Sequence, residues 1–299
     1  MRGGVRTWLS SLILRGDVKA FIERTRERLT SVDLPVVITD GYGIRSILAP
    51  WDRRGLDEMF SRDFHRKEFK ALARLIRPGD VVFDVGANIG LVSVYMHRLC
   101  KPNGSIYAFE PVEDTFWMLM ETLALNRCAS VRPFQLAISD RRGKITMNIF
   151  DRQYSEFNSL GRPTMPGLDG KKVRPNTVQQ VTTDTLDHFC ESHGIERIDF
   201  LKVDVEGFEK QVFAGAYQLL KDRRIKSISF EISQDPLQGA GTKPREVFEA
   251  LEAVGYRSFR YNEVEDNFEG PVNDSSEYYE IFFASCDDFP DLPGVANKL

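Results

Sequence analysis

The chain has 299 residues, a formal net charge of −4 and only four cysteines. Its apolar, aromatic and charged fractions (42%, 11% and 28%) are those of a globular protein long enough to bury a sizeable core. The negative balance argues against non-specific nucleic-acid binding, which needs a basic field. Local basic clusters such as Lys171-Lys172-Val173-Arg174 read as solvated surface.

The first thirty or so residues pattern as helix. Their apolar run Trp8 to Leu14 is too short to span a bilayer and lacks a small-residue cleavage site. No integral membrane segment or export signal is expected. Cys100, Cys128, Cys190 and Cys286 are scattered without a C-x-x-C pair, so a reduced cytoplasmic setting is the expectation. Val36-Val37-Ile38 and Ile44 to Leu48 flank Gly41-Tyr42-Gly43, the pattern of a hairpin. Phe69, Leu72, Ala73 and Ile76 recur at helical spacing, predicting a helix over 64–76 that Arg77-Pro78-Gly79-Asp80 ends. Residues 1–77 are thus expected to form an extension packed on a core domain at 78–285.

Beyond residue 80 strands and helices alternate, the pattern of an α/β fold with a mostly parallel sheet. Strands are expected at 81–86, 105–110, 131–138, 144–150, 178–183, 198–203 and 227–232. Helices follow at 185–192, capped by Asp184, at 208–220 and at 244–254. Tyr256 to Tyr261 and Tyr278 to Ala284 have no helix between them, which fits an antiparallel C-terminal edge. Residues 151–176, rich in Pro, Gly and Asn, read as a long polar loop, and 286–299 as a mobile tail.

Two stretches carry chemistry. In Val81-Val82-Phe83-Asp84-Val85-Gly86-Ala87-Asn88-Ile89-Gly90, a buried strand ends on an acid and turns through glycines into a helix. A second strand ends on Glu110-Pro111, where a carboxylate can accept from both hydroxyls of a ribose. A dinucleotide turn needs glycine at its first, third and sixth positions; this chain has Gly86, Asn88 and Leu91 there. S-adenosylmethionine has no phosphate and presents an ammonium, a sulfonium and a diol, which carboxylates such as Asp84 and Glu110 suit. It is the expected cofactor.

In the second stretch, Ile198 to Glu209, alternation places Lys202, Asp204 and Glu206 on one side of a strand's carboxyl end. Ionisable groups beside a cofactor crevice are candidates for proton transfer. Glu231, at the next strand's end, can reach the same crevice.

With DVGANIG (84–90), FEP (109–111), AISD (137–140), TLD (185–187) and KVDVEGFE (202–209) followed by Gly215-Ala216, the chain resembles the FkbM family of S-adenosylmethionine-dependent methyltransferases over roughly residues 36–285. The resemblance implies a seven-stranded, Rossmann-like class I methyltransferase fold. It also implies O-methylation of a sugar or polyketide-type hydroxyl, with a small-molecule or glycan acceptor. Asp84, Gly86, Asn88, Gly90 and Glu110 then match cofactor-binding positions, Ala137 and Ile138 lie against the adenine, and Glu68 joins them. Asn158-Ser159-Leu160 is similar to a family S-S-L element, with Asn for the first Ser. The acceptor hydroxyl would lose its proton to Asp204, Glu206 or Glu231.

Four other readings compete. Tyr217 and Lys221 match the Y-x-x-x-K pair of NAD(P)-dependent oxidoreductases, without the dinucleotide glycines. Asp204 could ligate magnesium as in catechol-type methyltransferases, although no metal is expected. His188 and His193 have a zinc-like look but lie five apart, off one helical face. A binding module without catalysis is the remaining alternative. Oligomeric state is not legible.

Overall fold

The computed structural model describes residues 36–48, 65–150, 165–166 and 172–286. The expected N-terminal helix, Asn158-Ser159-Leu160, residues 151–164 and 167–171 of the long loop, and 287–299 lie outside the described residues.

Strands β1 (Val36–Thr39) and β2 (Arg45–Leu48) form the expected antiparallel hairpin. Its turn closes because Asp40 Oδ1 accepts from the Tyr42 and Ile44 amides, both at 2.8 Å, imitating a backbone turn. Helix α1 (Arg66–Leu75) buries Phe69, Leu72 and Leu75 along one face.

From there the chain alternates: β3 (Val81–Val85), α2 (Leu91–Cys100), β4 (Ser105–Phe109), α3 (Glu113–Leu125) and β5 (Val131–Phe134). Three strands, β6 (Ala137–Ile138), β7 (Gly143–Ile149) and β10 (Thr177–Asp184), make a small side sheet in the order β6-β10-β7. Between β7 and β10 lies the pair β8 (Met165–Pro166) and β9 (Lys172–Val173). Helix α4 (Leu186–His193) leads to β11 (Ile198–Val203), α5 (Glu209–Gly215), α6 (Tyr217–Lys221) and β12 (Ile225–Ser233). The last elements are α7 (Gln234–Ala240), α8 (Pro244–Glu252), β13 (Tyr256–Asn262), β14 (Asn267–Val272) and β15 (Tyr279–Cys286).

The main sheet has the order β14-β13-β15-β12-β11-β3-β4-β5. Strands β5, β4, β3, β11 and β12 pair in parallel, and β15 runs antiparallel between β12 and β13. This is the α/β, mostly parallel architecture with antiparallel strands toward the C-terminal edge that the pattern predicts. It has eight strands rather than seven. The additional one, β14, pairs antiparallel with β13 through a hairpin, and only Phe268 of its six residues is buried, so it has little apolar alternation to announce it.

Both sheet faces are covered. On one side, Val82, Ile106, Phe200 and Phe283 meet α1, α2 and α3 through Leu72, Met96 and Leu119. On the other, Phe83, Tyr107, Leu201 and Phe230 meet α4, α5 and α8 through Phe189, Val212 and Phe248. Strict alternation therefore puts Asp84 and Lys202, paired across β3 and β11, on the α1–α2 side.

Three local expectations need correction, and one helix goes unpredicted. The strand expected over 131–138 divides into β5 of the main sheet and β6 of the side sheet. Thr185, not Asp184, caps α4: its side chain accepts from the His188 amide, while Asp184 Oδ1 accepts from the Thr185 amide at 2.8 Å. The helix expected over 208–220 breaks at Ala216, because Gly215 packs on the Ser139 carbonyl so closely that a Cβ would lie 2.0 Å from its oxygen. Residues Gln234–Ala240 form a short helix ended by Gly241 in the left-handed region, where Asp, Pro and Gly composition hides the pattern.

Candidate active site

The chain runs outward from β3 through β4 to β5 and then returns to β11 on the other side of β3. In an open parallel sheet the reversal leaves a crevice at the strands' carboxyl ends, between β3 and β11. Two contacts set its floor. The Asp204 amide donates to the Val85 carbonyl at 3.0 Å, and Gly86, with φ +83°, lies so close that a Cβ would come within 1.7 Å of the Asp204 carbonyl oxygen. Glycine is required there on both counts.

The Gly86 and Ala87 amides donate to the Phe109 carbonyl at 3.0 and 2.9 Å, tying the first turn to β4. Glu110 follows β4. Its Oε2 accepts from the Asn88 amide at 3.1 Å and its Oε1 from the Val112 amide at 2.9 Å. Burial pushes this carboxyl up to about 7, against the two amide bonds that favour the charged form. Gly90, at φ +89°, starts α2 and packs on Leu119.

The resulting cleft encloses about 750 Å³, open solvent at its mouth included. Gly86, Asn88, Glu110, Ala137, Ile138, Asp204 and Glu206 all line it, so seven of the twelve sequence-predicted site residues meet around one space. Leu136, Met147 and Phe208 add apolar wall that the sequence reading missed; only their place in the fold brings them there.

The other five lie behind or beside the cleft. Asp84 is fully buried, and its Oδ2 accepts from the Ser93 hydroxyl on α2 at 2.5 Å. Lys202, also buried, has its Nζ 2.9 Å from Asp204 Oδ2 and 3.7 Å from Asp84 Oδ1. Burial works against that ammonium, but the Asp204, Asp84 and Glu68 carboxylates outweigh it and hold it charged. Burial likewise raises the Asp84 carboxyl, with Lys202 and Ser93 opposing. Glu68, on α1, is buried beside this cluster and bonds His65 Nδ1 at 3.1 Å. Asp84 and Glu68 therefore support Lys202 from below rather than line the cleft. Gly90 shapes the turn.

Glu231 stands one strand further along the sheet. A carboxylate oxygen from each of Asp204, Glu206 and Glu231 lies within 4.8 Å of the others, so the three acids converge as their strand positions predict. Burial, followed by the charges of Asp204, Glu206 and Glu209, pushes the Glu231 carboxyl well above the usual range. The loop carrying Asp204 and Glu206 is clasped from within. Glu209, absent from the sequence-predicted set, is buried and accepts from the Gly207 and Val205 amides at 3.2 and 3.3 Å. Glu206 itself takes φ +52° in this loop. The only signal for Glu209 was its place in the acidic run.

The competing constellations separate. Tyr217 is 53% exposed, with Lys221 Nζ 5.9 Å from its ring centroid, and neither lines the cleft. His188 bonds Asp184 while His193 bonds the Phe189 carbonyl at 2.8 Å, so the two histidines have separate partners. Among the described residues no helix is long and apolar enough to cross a membrane.

The chain is similar in sequence to several methyltransferases. The chain is 34% identical over 159 residues to the 31-O-demethyl-FK506 methyltransferase FkbM of Streptomyces tacrolimicus, covering 47% of this chain and 60% of that one. It is 33% identical over 154 residues to the methyltransferase sdnD of Sordaria araneosa (45% and 59%). With the 2-O-methyltransferase NoeI of Sinorhizobium fredii it shares 30% over 157 residues (50% and 63%). The chain thus spans about 60% of the length of these curated relatives. The family model described as the methyltransferase FkbM domain matches residues 84–258, from the acid of the first glycine turn to the middle of β13. With that span holding the cleft and its acids, the chain belongs to the FkbM methyltransferase family.

Proposed function

We propose that the chain is an S-adenosylmethionine-dependent O-methyltransferase acting on a hydroxyl of a small molecule or glycan, of the sugar or polyketide-type class. The observation that carries this reading is the single cleft shared by Glu110, the apolar residues Leu136, Ala137, Ile138 and Met147, and the acids Asp204 and Glu206. These groups fit the cofactor: a buried carboxylate for the ribose diol, an apolar wall for the adenine, and negative charge for the ammonium and sulfonium. Gly86 and Asn88 would hold it from the first turn, with Glu68 and Asp84 fixing Lys202 beneath.

When bound, the cofactor supplies an intrinsically reactive methyl group on a positively charged sulfur. The chain's own part is alignment and proton removal. Holding an acceptor oxygen in line contributes on the order of 7–11 kcal/mol. Lys202 holds the Asp204 carboxylate at 2.9 Å, and Glu209 clasps the loop bearing Glu206. Proton removal by a positioned carboxylate of the group formed by Asp204, Glu206 and Glu231 contributes roughly 10²–10⁴-fold. Removal is concerted with C–O bond formation, because an alcohol facing so weak a base does not ionise beforehand.

Calorimetry with S-adenosylhomocysteine tests the cofactor half, and absence of heat rejects it. A panel of hydroxylated acceptors, read by mass for one added methyl, tests the reaction. Glu206→Gln with undiminished turnover and intact cofactor binding removes that residue as base.

A second reading rests on the same acids. Asp204, Glu206 and Glu231 are the group, among the described residues, close enough to share a divalent cation, as in catechol-type methyltransferases. Lys202 already places a positive charge at Asp204, which favours the metal-free reading. Turnover lost on chelation and restored by magnesium would reverse that preference.

A further inference from the structure

Strand order works as a ruler along the top of the sheet. Neighbouring strands lie ~4.8 Å apart, and the order β4-β3-β11-β12-β15 sets out Glu110, Gly86, Asp204, Glu231 and Tyr279 in sequence. The cleft occupies the β4 to β11 half and stops at Asp204, Val205, Glu206 and Phe208; neither Glu231 nor Tyr279 lines it. Yet Glu231 lies within 4.8 Å of the two acids that do. Asp204 and Glu206 therefore stand at a boundary, with cofactor space on one side and β12 and β15 on the other.

Tyr279 dominates that far side. The register pairs Ser233 with Tyr279 and Glu231 with Ile281, so the Tyr279 and Glu231 side chains share one sheet face on adjacent strands. The side chain is 50% exposed, and among the described residues it has no hydrogen bond and no ring contact. Burial, then the charges of Glu231, Asp204, Glu68 and Glu206, holds its phenol proton well above the usual range. A half-exposed ring on the same sheet face as Glu231, with no side-chain hydrogen bond or ring contact among the described residues, is an uncommitted recognition surface. Tyr278 beside it is committed, donating to Asp235 Oδ2 at 2.8 Å.

We propose that Tyr279 is the acceptor-recognition residue, its ring forming the wall on which a ring-shaped, polyhydroxylated acceptor lies and its hydroxyl facing Glu231, on the side of Asp204–Glu206 away from the cofactor. The charges around it set the acceptor's class as well. Glu231 lies within 4.8 Å of Asp204 and Glu206, and of these acids Asp204 is bonded to the buried Lys202, so a neutral or amino-substituted ring fits beside them and a carboxylated ring is repelled.

This rests on the methyl-transfer reading, and the test separates the two. The probes are cyclohexane-1,2-diol, methyl α-glucopyranoside and its 2-amino and 6-carboxylate analogues, assayed with S-adenosylmethionine by mass. For the best probe, Tyr279→Ala raises KM by about tenfold or more, the loss of one aromatic contact, while S-adenosylhomocysteine affinity stays within twofold. Tyr279→Phe, which keeps the ring, keeps most of the KM. The 6-carboxylate analogue has the lowest kcat/KM of the glucosides. An unchanged KM in Tyr279→Ala, or an equal loss of S-adenosylhomocysteine affinity, overturns the assignment while leaving methyl transfer standing. No methylation of any probe by the wild-type protein rejects both.

Discussion

Gly86 and Glu110 show how single positions tie the cleft together. A methyl group at Gly86 would overlap the Asp204 carbonyl, 1.7 Å from the added Cβ, which is backbone and has nowhere to go. Gly86→Ala therefore displaces the turn that lines the cleft and the loop that carries Asp204 at once. We expect S-adenosylhomocysteine affinity and turnover to fall together, each by about tenfold or more, since left-handed backbone alone costs a non-glycine residue ~1–2 kcal/mol. Binding calorimetry and a turnover assay on the same variant check it. Retained affinity would mean the two motifs are not coupled there.

Glu110 sets function against stability. Its carboxyl is raised to about 7 by burial, so the folded protein binds an extra proton between the usual carboxylate value and pH 7. Stability is therefore lost as pH rises through that window, by on the order of 3 kcal/mol. A ribose diol needs the charged form as acceptor, so cofactor affinity should rise with pH over the same range. Glu110→Gln is expected to bind S-adenosylhomocysteine more weakly at pH 8. It should also be more stable than wild type at pH 8, by a margin that closes toward pH 4.5. Calorimetric and urea titrations at the two pH values decide it, and parallel pH dependences of binding and stability would contradict it.

Among the elements, α4 has its start written in one side chain. Thr185 Oγ1 accepts from the His188 amide at 3.1 Å, satisfying a donor that the first turn leaves open. Asp184 instead holds the Thr185 amide and His188 Nδ1. Thr185→Ala should cost ~1 kcal/mol, read as a shift in urea midpoint at constant slope. Asp184→Ala should leave the cap bond in place. The break between α5 and α6 has a different origin, since Gly215 is held against the Ser139 carbonyl beside the cleft wall at Ala137 and Ile138. That close approach anchors the side sheet to the second core and so positions an apolar surface of the site.

Across the sheet, stability follows the strand order. β3, β4, β11 and β12 are covered on both faces, while β14 forms one edge with five of its six residues half-buried or exposed. Amide exchange should be slowest in β3, β11 and β12, approaching the global opening, and fastest among the strands in β14. Comparable protection in β14 and β11 would contradict this picture. The candidate site rests on these strands, with Glu110, Asp204 and Glu206 on the segments just beyond them and Glu231 within β12.

Much of this architecture was readable from residue order. Alternating strand and helix patterns, the acid and glycines at 84–90, Glu110 after the second strand and the acidic run at 202–209 are local features, and local chemistry needs no long-range information. The convergence of Glu231 on Asp204 and Glu206 followed from strand ends sharing one edge. Other features had no local trace. β14 lacks buried alternation, α7 is disguised by turn-forming residues, and Tyr279 reads as one aromatic in a strand. The division between a buried Asp84 that steadies Lys202 and a Glu110 that faces the cleft also escapes the sequence, where both are acids at strand ends. Burial and pairing across non-neighbouring strands separate such residues, and these depend on which segments the folded sheet brings side by side.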